Sequence, residues 1–361
     1  MKLALTAGGT GGHILPALAV LDAVIAARPE TEVRFFGPED RGERLTIESR
    51  GLVFETVPAA QVRGRGPTAL VHSFWRLGGG ILTAVRKLRA FKPDVVFSTG
   101  GYGSFPCSVA ARLLRKPLIV FLPDVSPGWA VKAEQRLATR MATTADAALA
   151  FLPRKKTRVT GYPVRPVFSE LNRESARAKL GILPGERVIL VAGASQGSQA
   201  INSAVFAGLR NLVEETTVFH ITGTPDYDEA AGFKSGLGEL GERYHPAPFR
   251  EDLPEVMFAA DLAVMRAGAS VLGELPAASL PSILIPGTFA GGHQRENARW
   301  LADAGAAIVV EESSISTLIE RTLVLLNDED ALAAMRSAAH AVARPGAAAA
   351  IASLIGEVAR K

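Results

Sequence analysis

The sequence predicts an α/β protein built from two doubly wound, parallel-sheet domains. Three observations support this prediction. The chain has 361 residues, more than one hydrophobic core usually organises. Short apolar runs alternate with longer segments of helical period, as in βαβ units. The alternation stops in a basic stretch broken by prolines at 152–168, which we interpret as a linker, and then starts again.

In the first half, strands and helices follow one another in order. Runs rich in Val, Ile and Phe predict strands over 2–7, 32–37, 94–99, 118–122 and 142–146. Segments of helical period predict helices over 16–29, 82–91 and 105–115. Two of the predicted strand-to-helix turns are rich in glycine, "AGGTGGH" (7–13) and "STGGYGSFP" (98–106).

The second half repeats this design. A strand, a glycine-rich loop and a helix occupy 187–209, and further strands are predicted over 217–223, 261–268, 281–287 and 306–312. The Ala-rich C-terminus is helical, with a break at Pro345 and Gly346. We therefore predict Rossmann-like domains at 1–161 and 162–345 that face each other across a cleft, and a C-terminal helix at 346–361 that can pack back on the first domain.

Composition narrows the classes of function. Hydrophobic residues make up 48% and charged residues 21%, the balance of a globular protein. A net charge of +4 permits anionic ligands, but no basic run interleaved with aromatics predicts nucleic-acid binding. The single cysteine, Cys107, allows neither an internal disulfide nor a thiolate metal cluster. No metal or nucleophile motif occurs, so we expect no metal and no cofactor. We expect no secretory signal after Met1 and no membrane-spanning run.

The loop at 7–13 is typical of an anion cradle. Glycines let backbone N–H groups approach a ligand, and the following helix N-terminus favours negative charge. Its glycine spacing is not that of a dinucleotide fingerprint, and no Gly-Lys-Ser/Thr of a P-loop follows. With the loop at 98–106 it predicts an extended anionic ligand, such as a diphosphate plus a sugar. His13 is the titratable group of the first loop, and it is either a general base for a hydroxyl or a positioning group.

Three loops in the second half suit a nucleotide sugar. In "GASQGSQAIN" (193–202), hydroxyl, amide and backbone donors suit a diphosphate. "MRAGASVLGELPAASLP" (265–281) places Glu274 one turn into a helix, where it either accepts the two ribose hydroxyls or faces solvent. In "PGTFAGGHQRENARW" (286–300), side-chain amides offer both donor and acceptor to sugar hydroxyls.

Taken in order, "GGTGGHILPAL", "GGYGSFP", "GYPVR", "GASQGS", "RAGAS…GE" and "HQRENA" resemble the MurG family of glycosyltransferases. The resemblance covers nearly the whole chain. It implies the GT-B architecture of two Rossmann-like domains. It also implies transfer of N-acetylglucosamine from UDP-GlcNAc to lipid I, which gives lipid II for peptidoglycan.

The resemblance and the loops together assign an acceptor side and a donor side. The acceptor and its diphosphate would contact Thr10, Gly11, Gly12, His13, Gly100, Gly101 and Tyr102. The donor would contact Arg165, Gly193, Ser195, Gln196, Gly197, Asn202, Phe249, Arg250, Gly268, Ala269, Ser270, Glu274, Gln294 and Asn297. Within this set the resemblance places Phe249 and Arg250 beside uracil and Glu274 on the ribose.

The chain departs from the family in its acceptor half. The family usually has His-Glu-Gln-Asn after the strand at 118–122, where this chain has "LPDVSPGWA" (122–130). Asp124 is therefore a second candidate base, or simply a turn residue before Ser-Pro-Gly. The changes to "GASQGS" and "GASVLGE" are smaller, because backbone donors do most of the phosphate binding.

The segment 70–91 offers a face for an anionic membrane. Apolar side chains (Phe74, Trp75, Leu77, Ile81 and Leu82) lie close to basic ones (Arg76, Arg86, Lys87 and Arg89). The alternative is that the apolar residues pack in the core. With a lipid-linked acceptor, the first interpretation predicts a peripheral protein on the cytoplasmic face of the membrane, bound through 74–89.

We therefore expect an inverting, metal-independent UDP-GlcNAc transferase. Alternatives are a related transferase with another lipid or natural-product acceptor, a UDP-GlcNAc 2-epimerase, and a non-catalytic nucleotide-binding module. The pairing of two acceptor-side loops with three donor-side motifs argues against the last.

Overall fold

A computed structural model describes residues 1–8, 11–38, 43–60, 67–193, 196–288 and 292–360. Side chains at 11, 43 and 67–74 lie outside the described part of the chain. The chain divides into two compact units: residues 1–165 with 345–361, and residues 166–344.

The first unit is built on a parallel sheet. Its strands are β1 (Lys2–Thr6), β2 (Glu32–Gly37), β3 (Val53–Thr56), β4 (Val95–Ser98), β5 (Leu118–Leu122), β6 (Arg140–Thr143) and β7 (Thr157–Val159). They pair in the order β3-β2-β1-β4-β5-β6-β7. The connecting helices are α1 (Gly11–Ala27), α2 (Glu43–Glu48), α3 (Pro67–Phe91), α4 (Phe105–Leu113) and α5 (Trp129–Leu137).

The second unit repeats this plan. Its strands are β8 (Val188–Ala192), β9 (Thr217–Ile221), β10 (Tyr244–Ala247), β11 (Leu262–Met265), β12 (Ser282–Leu284) and β13 (Ala307–Val309), in the parallel order β10-β9-β8-β11-β12-β13. Its helices are α6 (Arg173–Leu180), α7 (Gln199–Ala207), α8 (Leu209–Glu215), α9 (Tyr227–Gly236), α10 (Leu253–Ala259), α11 (Val271–Ala277), α12 (His293–Asp303), α13 (Leu318–Leu326) and α14 (Glu329–Val342). The last helix, α15 (Ala347–Ala359), belongs to the first unit and packs on α1. The two predicted parallel-sheet domains are confirmed.

The central strands are continuous apolar runs because helices cover both faces of a parallel sheet. Every residue of β5, "LIVFL", is buried, as is every residue of β8, "VILVA". In the first unit this core continues into α3 and α4 through Leu88 and Ala110. In the second it continues into α7 through Phe206.

Several predicted bounds in the first unit are wrong, and two of the errors concern the edge strands of its sheet. The stretch 152–168, interpreted as a linker, contains β7, whose residues Thr157–Val159 extend the sheet at its edge. The edge strand β3 was not predicted, and β6 begins at Arg140 rather than at 142. Helix α3 begins at Pro67, well before the predicted start at 82. Edge strands are short and partly polar, so they lack the apolar run that marks a central strand.

The segment Glu329–Ala359 is long and apolar enough to cross a membrane, with a mean hydropathy of 1.3 over an 18-residue window, although the sequence prediction expected no such segment. It consists of α14 and α15, which are separated by residues 343–346, beginning with the extended residue Ala343. Apolar side chains of both helices are buried, among them Met335 and Ile351. The core helices of a globular protein pass the same test of length and composition.

Candidate active site

Two pairs of loops follow the central strands, where the strand order reverses. In the first sheet β1 pairs with β4, and Thr6 lies opposite Ser98. In the second sheet β8 pairs with β11, and Ala192 lies opposite Met265. Connections leave these strands in opposite directions, so a crevice opens at their carboxyl ends, where such sheets bind ligands. The four strands carry the predicted loops at 7–13, 98–106, 193–202 and 265–281.

In the first unit the two glycine-rich loops are joined backbone to backbone. The N–H of Gly8 donates to the carbonyl of Gly100 over 2.9 Å. A Cβ on Gly8 would lie 2.6 Å from Cα of Gly101, so no side chain fits there. Gly101 also has a φ of +86°, which favours glycine. Gly8, at the start of the first loop, therefore packs directly against the backbone of the second loop.

His13 lies in the first turn of α1 and is half-buried. Its Nδ1 is 2.8 Å from the carbonyl oxygen of Thr99, and the hydroxyl of Thr99 donates to the carbonyl of His13 over 2.8 Å. Because a carbonyl only accepts, Nδ1 carries the proton of this bond, and in the neutral ring Nε2 holds the free lone pair. This geometry suits a base that acts through Nε2, and it equally holds the ring as a positioning group.

The proline of "GGHILP" frees a carbonyl at the start of α1. Pro16 has no N–H, so the carbonyl of Gly12 lacks its helical partner. The hydroxyl of Tyr162 reaches that carbonyl at 3.5 Å. The chain after β7 thus anchors the helix end beside the first loop.

A buried carboxyl under the second loop was missed by the sequence prediction. Glu134 of α5 is fully buried, and its Oε1 accepts from Ser104 over 2.8 Å and from Ser108 over 2.7 Å. Ser98 lies 3.3 Å from each carboxyl oxygen. Loss of water raises the pKa of Glu134 to about 7, against the opposing effect of the three hydroxyls.

The other predicted acceptor residues lie on the same edge of the sheet or outside the described residues. Gly12 and Tyr102 are half-buried on the two loops, and Gly11 opens α1. Thr10 lies outside the described residues. Asp124 is half-buried in a bend that follows β5, the strand next to β4.

In the second unit the loop after β8 packs closely on the turn after β9. Gly197 has a φ of +77°, and a Cβ there would lie 2.0 Å from the carbonyl oxygen of Thr222. Gly193 is buried, whereas Gln196 is exposed at the loop surface. Ser195 lies outside the described residues. The loop thus presents Gln196 to solvent.

Asn202 lies behind this loop in a buried network. Its Nδ2 donates to the carbonyl of Thr222 over 2.8 Å and to Asp226 over 2.7 Å. Its Oδ1 lies 3.0 Å from Nε2 of His220, whose Nδ1 lies 2.9 Å from the hydroxyl of Tyr244. Burial lowers the pKa of His220 to about 3, so the ring is neutral, with Nε2–H donating to Asn202 and Tyr244 donating to Nδ1. In this structure Asn202 supports the loop, and its contact with a donor stays a prediction.

The loops after β11 and β12 are joined in a similar way. Asn297 is buried, and its Nδ2 donates to the carbonyl of Ala267 over 3.0 Å. Gln294 accepts from the N–H of Gly287 over 2.9 Å. Arg266, which the prediction did not single out, is buried and bonds Glu312 over 2.6 Å. An arginine directly after an apolar strand was the available signal.

The remaining predicted donor residues vary in exposure. Glu274 is buried in α11, and the ring of Phe249 is 66% exposed. Arg250 holds Asp252 through two bonds of 2.9 and 2.6 Å, which lower the pKa of that carboxyl. Half-buried positions include Gly268, Ala269, Ser270 and Arg165, the last of which lies in the first unit.

Both units match domains of one known family of glycosyltransferases. The glycosyltransferase family 28 N-terminal domain matches residues 3–143, and the family 28 C-terminal domain matches residues 188–351. UDP-N-acetylglucosamine–N-acetylmuramyl-(pentapeptide) pyrophosphoryl-undecaprenol N-acetylglucosamine transferase of Desulforudis audaxviator is 36% identical, over 100% of this chain and 99% of that protein. The protein of the same name from Halalkalibacterium halodurans is 34% identical, over 100% of both chains. The chain belongs to the MurG family of glycosyltransferases.

Solved structures agree on the fold. MurG of Acinetobacter baumannii superposes with a TM-score of 0.77 at 24% identity, over 99% of both chains. UDP-GlcNAc 2-epimerase of Neisseria meningitidis superposes with a TM-score of 0.68 at 14% identity, over 99% of this chain and 100% of that one. MurG family members and the epimerase thus share one architecture, so the architecture by itself does not select the reaction.

Within the described residues, no three His, Cys, Asp or Glu side chains converge as a metal site would require. The expectation of a metal-independent reaction stays a prediction.

Proposed function

We propose that this MurG family member transfers N-acetylglucosamine from UDP-GlcNAc to lipid I, the undecaprenyl-diphospho-MurNAc-pentapeptide, and so forms lipid II. The full-length match, at 34–36% identity, to transferases whose names state this donor sugar and acceptor carries the proposal. The paired glycine loops at the carboxyl edge of the first sheet support an acceptor diphosphate there.

The reaction we propose is a direct displacement with inversion. The acceptor hydroxyl oxygen bonds to the anomeric carbon as the bond from that carbon to the UDP oxygen breaks. Nε2 of His13 takes the hydroxyl proton, because Nδ1 is held by Thr99. Backbone N–H groups and helix N-termini after β8 and β11 stabilise the charge on the departing UDP without a metal or other cofactor.

We propose that helix α3 brings the enzyme to its lipid substrate at the cytoplasmic face of the membrane. The exposed face of α3 carries Trp75, which is 80% exposed, and Leu82, which is 73% exposed. Arg86 and Arg89 are exposed on the same helix. Apolar anchors beside basic groups suit an anionic lipid surface.

Two residues of the predicted membrane face do not belong to it. Leu77 is buried, and Lys87 pairs with Glu55 over 2.7 Å. Ile81 is half-buried, and the side chain of Phe74 lies outside the described part of the chain. Helix α3 is therefore amphipathic: one face joins the core and the other remains available to lipid.

The membrane proposal is tested by sedimentation with vesicles of anionic lipid. The double variant Trp75→Asp, Leu82→Asp should lose binding, whereas Leu183→Asp, at an exposed leucine of the second unit, should not. Equal binding by wild type and both variants would disprove a role for α3.

The reaction is tested with radiolabelled UDP-GlcNAc. We expect transfer to lipid I in detergent and none to soluble natural-product acceptors. Formation of UDP-ManNAc from the donor alone would show an epimerase instead. Transfer to a different acceptor would keep the donor half of the proposal and overturn the acceptor. Binding of UDP-GlcNAc without turnover in any of these mixtures would indicate a binding module.

A further inference from the structure

The buried carboxyl of Glu134 is connected to the acceptor loop through two serines. Ser98 accepts from the N–H of Gly100 over 3.1 Å and lies 3.3 Å from both oxygens of Glu134. Ser104 lies 2.9 Å from the carbonyl of Gly101 and 2.8 Å from Oε1 of Glu134. Each of the two loop glycines is thus one serine away from the carboxyl.

The hydroxyl of Ser104 has a single proton and two acceptors within bonding distance. If Glu134 is ionised, that proton serves either the carboxylate or the carbonyl of Gly101, and one of them loses its bond. If Glu134 is protonated, its O–H donates to Ser104, and Ser104 donates to Gly101. The neutral acid therefore completes the chain of hydrogen bonds into the loop, and the carboxylate interrupts it.

Residues 99 and 100 connect this hydrogen-bond arrangement to the predicted acceptor site. The carbonyl of Gly100 accepts from Gly8, and the carbonyl of Thr99 accepts from Nδ1 of His13. A shift of residues 99–101 therefore acts on Gly8 and on the imidazole of His13 together.

We propose that Glu134 is a positioning residue of the acceptor site, whose carboxyl proton sets the conformation of residues 98–104 and, through them, of His13. Its importance for transfer rests on the function proposed above; its control of the loop does not. A neutral carboxyl also avoids placing negative charge behind a loop that receives a diphosphate.

Other titratable groups around Glu134 are accounted for within the described residues. Cys107 on α4 is buried, and burial raises the pKa of its thiol to about 12, so it stays neutral. Lys87 on α3 pairs with Glu55, and His13 on α1 pairs with Thr99. A change in the loop near neutral pH is therefore assigned to Glu134, and a His13 variant serves as the control for the neighbouring imidazole.

The test follows the amide resonances of Gly100 and Gly101 with pH in protein labelled with 15N-glycine. In wild type and in His13→Gln these resonances should titrate with a midpoint near the pKa of Glu134, about 7. In Glu134→Gln, which keeps a donor and an acceptor but no proton equilibrium, they should not titrate. Ser108→Ala, which removes a partner of Glu134 on α4 rather than on the loop, should preserve the titration. Loss of the titration in His13→Gln, or its persistence in Glu134→Gln, would overturn the proposal.

Kinetics give a second and separate readout. Glu134→Gln should keep the acceptor KM and lose a pH dependence near neutrality. Ser104→Ala should raise the acceptor KM about tenfold, the effect of losing one buried hydrogen bond, and leave the KM for UDP-GlcNAc unchanged. An acceptor KM that Ser104→Ala leaves unchanged would overturn the positioning role. If wild type transfers nothing to lipid I, the proposed function fails while the resonances still decide the role of Glu134.

Discussion

Replacing Glu134 by glutamine should change how the stability of the first unit depends on pH. Burial raises the pKa of this carboxyl from 4.5 to about 7, because three serine hydroxyls only partly replace the lost water. A carboxyl with a higher pKa in the folded chain binds its proton more tightly there than in the unfolded chain. Its contribution to stability is complete below pH 4.5 and is lost as the pH rises through about 7.

The size of the effect follows from the shift. One pKa unit corresponds to about 1.4 kcal/mol, so the shift of Glu134 corresponds to about 3 kcal/mol. Glutamine does not ionise and avoids this loss. The free energy of unfolding of Glu134→Gln, relative to its parent, should therefore rise by about 3 kcal/mol as the pH is raised from below 4.5 to about 8.

Urea unfolding followed by tryptophan fluorescence measures this difference. A Trp300→Phe background leaves Trp75 and Trp129, which both lie in the first unit. Glu30→Gln, which removes an exposed carboxylate of the same unit, is the matched control and should show no such rise. A difference between Glu134→Gln and its parent that stays flat with pH, or that the Glu30 variant shares, would refute the assignment.

Three further predictions concern the site and its support. His13→Ala should lower kcat by about 10²–10⁴-fold with little change in acceptor KM if the imidazole is the base; a rise in KM alone would make it a positioning group. Tyr244→Phe removes the donor to the buried Nδ1 of His220 and should lower the free energy of unfolding by about 1–3 kcal/mol in urea titrations, whereas an unchanged midpoint would contradict donation from Tyr244 to His220. Dialysis against EDTA should leave the transfer rate unchanged; loss of activity that Mg²⁺ or Mn²⁺ restores would disprove a metal-independent reaction.

Central strands were predictable because they carry their own signal. β2 and β5 have the predicted bounds: β5 is wholly apolar, and β2 ends in the buried pair Phe35 and Phe36, followed by Gly37 and Pro38. β3 and β7 lack such a run, because each lies at an edge of the sheet and keeps exposed or polar side chains. Helix α3 could likewise be predicted only in part from the sequence. The sequence identifies its apolar residues, but only the packing of the helix shows that Leu77 is buried and Trp75 is exposed.

The glycine loops were predictable, whereas the groups that support them were not. A glycine-rich turn between a strand and a helix is visible in a few consecutive residues. Glu134 acquires its role from serines 26 to 36 residues away, and nothing in "WAVKAEQRL" distinguishes it from a surface glutamate. Asn202 differs in the opposite way. The sequence predicted that its amide contacts the donor, whereas in this structure the amide bonds the turn after β9.

In both units, the shape of a glycine-rich loop depends on groups outside the loop. A glycine-rich loop has few side chains to fix its shape, so groups packed behind it must do so. In the first unit Glu134 and its serines do this, and in the second Asn202 with neutral His220 does so. Glu134, Asn202 and His220 are each buried, and each is uncharged at the pH where Glu134 holds its proton. A carboxylate behind the first loop would repel the acceptor diphosphate that we propose binds there. The raised pKa of Glu134 and the lowered pKa of His220 have one physical cause: burial disfavours the charged form of each group, so both act as neutral hydrogen-bonding groups behind their loops.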